Sequence, residues 1–354
     1  MDSVAPRDGG ADMIDERRKP RNKHVPPEAS LSRFRRLTEA TIIATFVLVL
    51  IGGIVRVSDS GLGCGPAGSG THGWPLCEGG VLPAASAESV IEYSHRITAG
   101  IVSVMIGLMV WRAWRQLKDH RWIVRGSIAA GLLVLVQAGL GGLTVEENLE
   151  EWLVAAHLGL AMLLLALLVI LRRHASEPQS VGSSGSLALR TLSAVAATLI
   201  LCTIVAGGLV AGTEGHGRAD QPELGAHTAC GQQFPGCIDQ GLMPFGTGRL
   251  VDIQLTHRLF MYLASLAVIA LVVVAIRERA RSRSFLVLGA LLVCQVVLGA
   301  INVWAGKHAG LIVGHLALGT LVWTTAVYAT TTLMAVPAPL GRTLREAEAA
   351  RAPA

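Results

Sequence analysis

Residues 284–304 read SFLVLGALLVCQVVLGAINVW, and no side chain in this stretch is charged. A helix rises about 1.5 Å per residue, so a helix of this length matches the roughly 30 Å hydrocarbon core of a bilayer. Seven other stretches have similar length and character, at residues 37–56, 92–111, 126–145, 152–171, 188–211, 254–276 and 309–333. The sequence therefore predicts an all-α integral membrane protein with eight transmembrane helices.

The overall composition also favours a membrane protein. Hydrophobic residues make up 51% of the chain, charged residues 16%, and the mean hydropathy is +0.52, which leaves too little charge for a soluble surface. The net charge of +5 would suit a nucleic-acid-binding protein, but most basic residues lie in the terminal segments and in the loops after even-numbered spans. Because such residues stay on the cytoplasmic side, both termini are predicted to be cytoplasmic, in the cell membrane, with no nucleic acid as partner.

An internal repeat becomes visible when the two halves of the chain are laid together. The order and the spacing of its elements both match. The matched elements are Gly52-Gly53 with Gly207-Gly208, His95-Arg96 with His257-Arg258, Gln137 to Gly141 with Gln295 to Gly299, and His157 with His315. Because each half has four spans, both halves start on the same side of the membrane, as in parallel repeats. The repeat predicts two pseudo-symmetric four-helix bundles.

The repeat also divides the chain into segments. We expect an N-terminal half at residues 33–171 and a C-terminal half at residues 188–333. A cytoplasmic linker that contains Ser and Gly would join them at residues 172–187. The polar residues 1–32 are expected to form a disordered cytoplasmic tail, and residues 334–354 a second cytoplasmic tail.

Four histidines lie on even-numbered spans, at a similar short distance inside the predicted outer end of each span. They are His95, His157, His257 and His315. Ionisable side chains in hydrocarbon are costly and usually functional. A single such histidine is explained equally well as a buried residue bonded to a neighbouring carbonyl. Four at one depth, repeated by the internal symmetry, favour metal ligation.

Heme suits two histidines that face each other across an apolar bundle, because the protein then supplies the axial ligands and a dry cavity. Zinc is a weaker candidate, since no Cys or carboxylate stands at the spacing of a structural zinc site. Gly139, Gly141, Gly142 and Gly299 either leave room for a porphyrin or let the helices pack closely. Each half is therefore expected to hold one heme.

Glu92 precedes His95 by three residues and so lies on the same helix face, one turn closer to the outer surface. The second half has Gln254 at the equivalent position. This is the main chemical difference between the two expected pockets, and it makes Glu92 a candidate catalytic residue. A solvated acid at a helix start, favoured by the helix dipole, explains the position equally well.

Four of the six cysteines lie in two outer loops, at equivalent places in the two halves. They are Cys64 and Cys77 in the first loop and Cys230 and Cys237 in the third. On the oxidising side of a membrane, two loop disulfides are the plain structural interpretation, and we predict one bridge per loop. A redox role stays open, although neither pair has Cys-x-x-Cys spacing. Cys202 and Cys294 are expected to pack in the core.

Several motifs together resemble the heme A synthase family over roughly residues 35–333. They are Gly53-Ile54-Val55-Arg56-Val57, Ser60-Gly61-Leu62-Gly63-Cys64, Gly73-Trp74-Pro75-Leu76-Cys77, Glu92-Tyr93-Ser94-His95-Arg96, Thr256-His257-Arg258 and Gly314-His315-Leu316. Enzymes of this family oxidise the C8 methyl group of heme O to a formyl group by successive hydroxylations, which gives heme A for terminal oxidases. The segment between the first two cysteines is longer here than is usual in the family, which affects the expected loop geometry but not the fold.

The resemblance implies different roles for the two halves. Glu92, His95 and His157 would belong to the half that processes the substrate, heme O. His257 and His315 would bind heme b, an iron cofactor, in the other half. A heme O synthase and an electron donor are implied as partners, beside the lipid bilayer, and a homo-oligomer stays open.

Two other classes of protein explain part of the pattern. A diheme b-type quinol oxidoreductase would account for the histidine pairs as sites of permanent cofactors, but it accounts for neither Glu92 nor the repeated loop cysteines. A transporter built on the repeat is disfavoured, because the histidines are paired at one depth and the spans lack obvious Pro breaks.

Overall fold

The computed structural model describes residues 27–83, 85–176, 185–214, 225–280, 282–306 and 308–334. Within these ranges the chain forms eight long α-helices and no β-strand. The helices are α1 Pro27–Val57, α2 Ala87–Gln116, α3 Arg121–Glu146, α4 Glu151–Ser176, α5 Leu187–Gly212, α6 Arg249–Arg277, α7 Ser284–Trp304 and α8 Ala309–Thr332. Each is long and apolar enough to cross a membrane. The predicted all-α architecture with eight spans is confirmed for the described residues.

The first helix begins earlier than the sequence suggested. It starts at Pro27, so residues 27–32, which were expected to belong to a disordered tail, are helical. Proline suits the first position of a helix, because its missing N–H has no partner there in any case. Leu31 and Phe34 are then buried in an apolar cluster with residues of α2, α3 and α4. This packing favours the longer helix, and residues 1–26 lie outside the described part of the chain.

The predicted linker is also shorter at both ends. Helix α4 continues to Ser176, and α5 begins at Leu187 after Ser186, whose side chain accepts a hydrogen bond from the Leu189 N–H at 3.1 Å. A side chain that caps a helix in this way satisfies one of its unpaired amides. The rest of the linker, residues 177–184, and the C-terminal residues 335–354 lie outside the described ranges.

The helices of each half pack in the same pairs. In the first half α1 contacts α2 and α4, and α3 contacts α2 and α4. In the second half α5 contacts α6 and α8, and α7 contacts α6 and α8. The two halves meet through α1, α4, α5 and α8, with α4 lying against both α5 and α8. The Trp323 indole N–H, on α8, donates to the Met162 carbonyl of α4 at 2.8 Å across this boundary.

The two loops that carry the cysteine pairs, residues 58–86 and 213–248, connect α1 to α2 and α5 to α6. Because each helix is long enough to run from one membrane surface to the other, both loops lie on one side of the protein, which we call the disulfide side. The two large apolar clusters are centred towards the opposite side, around residues such as Phe34, Met109, Leu168, Leu271 and Phe285. Cys294 is exposed on α7 and Cys202 is half-buried, so the expectation that both pack in the core is wrong for Cys294.

Candidate active site

The four histidines keep one register with respect to the helix starts. His95 and His257 stand eight residues after the first residues of α2 and α6. His157 and His315 stand six residues after the first residues of α4 and α8. At about 1.5 Å per residue, these positions differ by only about 3 Å in depth. All four side chains therefore lie near one level, within the disulfide-side half of the helices.

The C-terminal pair is arranged as two ligands of one metal ion would be. The His257 and His315 ring centroids are 6.4 Å apart, and the ring planes make an angle of 70°. A metal binds an imidazole nitrogen at about 2 Å, and the nitrogen is roughly 1 Å from its ring centre, so two axial rings would be about 6 Å apart. The two side chains of this structure thus fit the axial ligands of a heme iron.

The remaining ring nitrogens of these two histidines differ. The Nδ1 atom of His257 is 2.9 Å from the Thr203 carbonyl of α5, so the carbonyl accepts its proton and Nε2 is free to bind a metal. A histidine ligand is usually oriented by such a bond on its other nitrogen. The Nδ1 atom of His315 is buried and has no hydrogen-bond partner among the described residues.

The N-terminal pair has more unsatisfied nitrogens. The Nδ1 atoms of His95 and His157 are both buried without a hydrogen-bond partner in the described part of the chain. The two imidazoles are close enough to interact electrostatically. Buried polar atoms normally find partners, so two neighbouring imidazoles with unpaired nitrogens are compatible with a bound metal group.

Direct metal binding by protein side chains alone has no support in the described ranges. No group of three or more His, Cys, Asp or Glu residues there lies close enough to hold a metal ion. Each pocket offers two imidazoles, and a structural zinc site takes four ligands. A porphyrin supplies four nitrogens itself and needs only axial ligands from the protein.

The Glu92 side chain is buried and fully engaged, which does not fit a solvated acid at a helix start. It is only 4% exposed. One carboxylate oxygen accepts a hydrogen bond from the Cys64 backbone N–H at 2.7 Å, and the other forms an ion pair with Arg96. Arg96 in turn donates to the Leu76 carbonyl at 2.8 Å. Glu92 therefore joins α2 to the Cys64 segment of the first loop, and Arg96 joins the same helix to the segment before Cys77.

The second half builds the same connection without the acid. Arg258, which follows His257, donates to the Gly236 carbonyl at 2.7 Å and to the Gln233 carbonyl at 2.9 Å. Its guanidinium also lies over the Phe234 ring, 5.6 Å from the centroid. Gln254 is buried at 6% exposure, and its Oε1 atom has no hydrogen-bond partner among the described residues.

Both loops contain the disulfides that the positions of the cysteines in the two halves predicted, Cys64–Cys77 and Cys230–Cys237. In each half the arginine that follows His95 or His257 binds the carbonyl of the residue before the second cysteine, Leu76 or Gly236. The disulfide loops are therefore fastened to the helices that carry His95 and His257.

One residue close to the C-terminal pocket was not singled out from the sequence. His227, in the loop between α5 and α6, is half-buried and interacts electrostatically with both His257 and His315. No sequence signal could have found it, because its position depends on contacts between segments that are distant in the chain.

The profile of one protein family, described as COX15-CtaA, cytochrome oxidase assembly protein, matches residues 35–327. The chain belongs to this family. The match covers both halves of this COX15-CtaA protein, including Glu92, the four histidines and the four loop cysteines.

Curated relatives of this COX15-CtaA protein include several named heme A synthase. The one from Shouchella clausii is 29% identical over 304 residues, which cover 83% of this chain and 95% of that protein. The one from Bacillus licheniformis is 26% identical over 283 residues, 78% of this chain and 87% of that protein. The one from Alkalihalophilus pseudofirmus is 39% identical over 132 residues, but this match spans only 37% of the chain and 42% of that relative's length.

Proposed function

We propose that this protein is a heme A synthase, which oxidises the C8 methyl group of heme O to a formyl group by successive hydroxylations. The observation that carries the proposal is the pair of histidine pockets in a COX15-CtaA family member, only one of which has a buried carboxylate beside it. Permanent cofactor sites in an electron carrier would not need this difference. Perturbed buried acids are typical of reacting sites.

In this proposal the N-terminal half, residues 33–171, holds the substrate heme O through His95 and His157. Glu92 lies one turn from His95 on the same helix face, so its carboxylate is placed to hold or move a proton, or to stabilise positive charge that develops near the reacting carbon. The ion pair with Arg96 favours the charged form of the carboxylate and orients it in the apolar surroundings.

The C-terminal half, residues 188–333, would hold heme b through His257 and His315. A bound heme b supplies an iron that can take up and pass on single electrons. The protein's part is to fix the two imidazoles, and the bond between His257 and the Thr203 carbonyl leaves Nε2 as the nitrogen free for iron. The 6.4 Å ring separation agrees with this role.

We further propose that the protein lies in the cell membrane with both termini cytoplasmic and the disulfide side facing outwards. An even number of spans puts both termini on one side, and the Lys and Arg residues concentrate there. The outward side is also the oxidising side, which favours the two disulfides. An upstream heme O synthase and an external electron donor are the partners that the reaction requires.

The test is to express the protein in cells that make heme O but lack their own heme A synthase, purify it, and identify its extracted hemes. Heme O or heme A together with heme b, and heme A in the membranes, support the proposal. Heme b alone in both sites, with no heme A formed, would assign the protein to the diheme b-type quinol oxidoreductases instead.

A further inference from the structure

Each of the four histidines packs the Cε1 atom of its ring against a glycine on the preceding helix. A Cβ atom added at that glycine would approach the ring more closely than Cβ atoms approach their neighbours in nearly all protein contacts. The pairs are Gly52 with His95, Gly141 with His157, Gly207 with His257 and Gly299 with His315, and the distances from the added Cβ to Cε1 are 3.1, 3.2, 3.1 and 2.9 Å.

A second contact comes from the residue four positions before two of these glycines. Gln137 Nε2 donates to the His157 carbonyl at 2.8 Å, and Gln295 Nε2 donates to the His315 carbonyl at 3.0 Å. Gln295 Nε2 is also 3.2 Å from Nε2 of the His315 ring, a contact that a metal bound to this nitrogen would replace. Residues four apart on a helix share one face, so each glutamine and its glycine meet the same histidine.

The other two histidines meet a backbone carbonyl in the same place. Thr203, four residues before Gly207, accepts the 2.9 Å bond from His257 through its carbonyl. The backbone of Leu48, four residues before Gly52, lies beside the His95 ring but accepts no hydrogen bond from its Nδ1.

We propose that these four pairs of positions are histidine seats, which fix the imidazole ligands before heme binds. A seat is the glycine together with the residue four positions earlier. The glycine allows the ring to lie against the neighbouring helix, and the earlier residue holds the ring nitrogen or the histidine backbone. Ligands fixed by such surrounding contacts lose less freedom when they bind a metal group. The inference rests on the proposed function only in taking the four histidines as heme ligands.

Close helix packing alone does not explain the seat glycines, because neighbouring glycines on the same helices have other contacts. Gly53 faces Leu316 of α8, and an added Cβ at Gly208 would lie 3.0 Å from the Ala155 Cα of α4, so these two serve the boundary between the halves. Gly139, two residues before Gly141, has no atom within 4 Å of an added Cβ. Among the described glycines, only the seat glycines lie against the ring of His95, His157, His257 or His315.

The test uses the C-terminal seat, where a permanent heme gives a spectrum that can be followed without turnover. We expect Gly299→Ala to change the low-spin electron paramagnetic resonance spectrum of the heme, shift its midpoint potential and lower heme b content severalfold, because the His315 ring must move. Alanine is the better helix former, so the helix itself is not weakened. The control Gly289→Ala, on the same helix α7 but facing the Val272 side chain instead of a histidine, should keep the wild-type spectrum and heme content.

A wild-type spectrum and heme content in Gly299→Ala would overturn the proposal. If that variant fails to insert into the membrane, Gln295→Leu decides, because it keeps the side-chain size and removes only the amide contacts. A shifted spectrum in Gln295→Leu supports the seat, and an unchanged one overturns it. The ligand assignment is tested separately by His315→Ala. If that variant keeps the low-spin spectrum, the proposed function fails at this site, whatever the glycine variants show.

Discussion

In the N-terminal half the carboxylate of Glu92 pairs with Arg96, whereas in the C-terminal half Gln254 stands in the same place and Arg258 donates to backbone carbonyls. Both arginines nevertheless fasten the disulfide loop of their half to the helix that carries His95 or His257. The comparison separates two contributions of these residues, one to the structure of the pocket and one to its chemistry. The arginine and the loop build the pocket in either half, and the acid is an addition that the building of the pocket does not need.

The largest expected effect comes from removing an axial ligand, because one ligand fewer changes the spin state and the potential of a heme together. His257→Ala and His315→Ala should each abolish the low-spin heme b spectrum of the purified protein. His157→Ala should leave that spectrum in place and remove heme A formation. Optical and electron paramagnetic resonance spectra of the three variants check this. If both C-terminal variants keep the spectrum, the two halves have been assigned the wrong roles.

The next effect tests the acid itself. Glu92→Gln can still accept the Cys64 N–H bond through its amide oxygen, but it loses the charge opposite Arg96, and the other half already accommodates Gln there. We expect the heme b spectrum and the protein yield to stay at wild-type levels, while conversion of heme O to heme A falls about a hundredfold or more. Hemes extracted from membranes with a heme O source give the measurement. A wild-type yield of heme A would leave Glu92 with a structural role only.

Removing either disulfide should affect mainly the heme chemistry of its own half. Cys64→Ser with Cys77→Ser loosens the segment that binds Glu92, so we expect heme A formation to fall severalfold. Cys230→Ser with Cys237→Ser should mainly lower heme b retention. Each bond contributes roughly 2–3 kcal/mol by loop closure, a moderate loss for a membrane-embedded protein. Heme analysis of both double variants is the measurement, and equal effects on both hemes would contradict the proposed separation. Mass mapping would first verify the pairing, which fails if cysteines of different loops are linked.

The smallest effect is expected from giving the C-terminal half an acid. Gln254→Glu supplies Arg258 with the partner that Arg96 already has, so the fold should tolerate it. A negative charge near a heme stabilises its oxidised form, and the neighbouring arginine offsets part of this effect. We therefore expect a small decrease in the midpoint potential of heme b, measured by redox titration, and unchanged heme A formation. An unchanged potential would mean that the new side chain is not ionised.

Much of the fold could be predicted from the chain alone, because the bilayer requires long apolar helices and because the repeat preserves its order. The helix ends were less predictable. Helix α1 extends back to Pro27 since Leu31 and Phe34 find an apolar cluster built by other helices, and no local pattern contains that information. Cys294 likewise reads as a core residue by its apolar surroundings in sequence, yet it lies on an exposed face of α7.

The candidate site, like the fold, could be predicted from the sequence only in part. The residue types of the site, four histidines, one acid and two cysteine pairs, stand out in the sequence because polar groups are rare in a spanning helix and because the second half repeats or alters them. The bond between Glu92 and the Cys64 N–H does not stand out in the sequence. Cys64 is 28 residues away along the chain and meets Glu92 only when the first loop folds onto α2.

The adjacent glycines of the repeat show most clearly what cannot be predicted from the sequence. The sequence by itself determined that Gly52-Gly53 returns as Gly207-Gly208, near the end of the first span in each half. Only the tertiary structure decided that the first glycine of each pair meets a histidine of its own half, while the second meets the other half, at Leu316 or Ala155. Successive residues on a helix point about 100° apart, so two identical neighbours face different partners, and which partner lies there depends on the packing of helices distant in the chain.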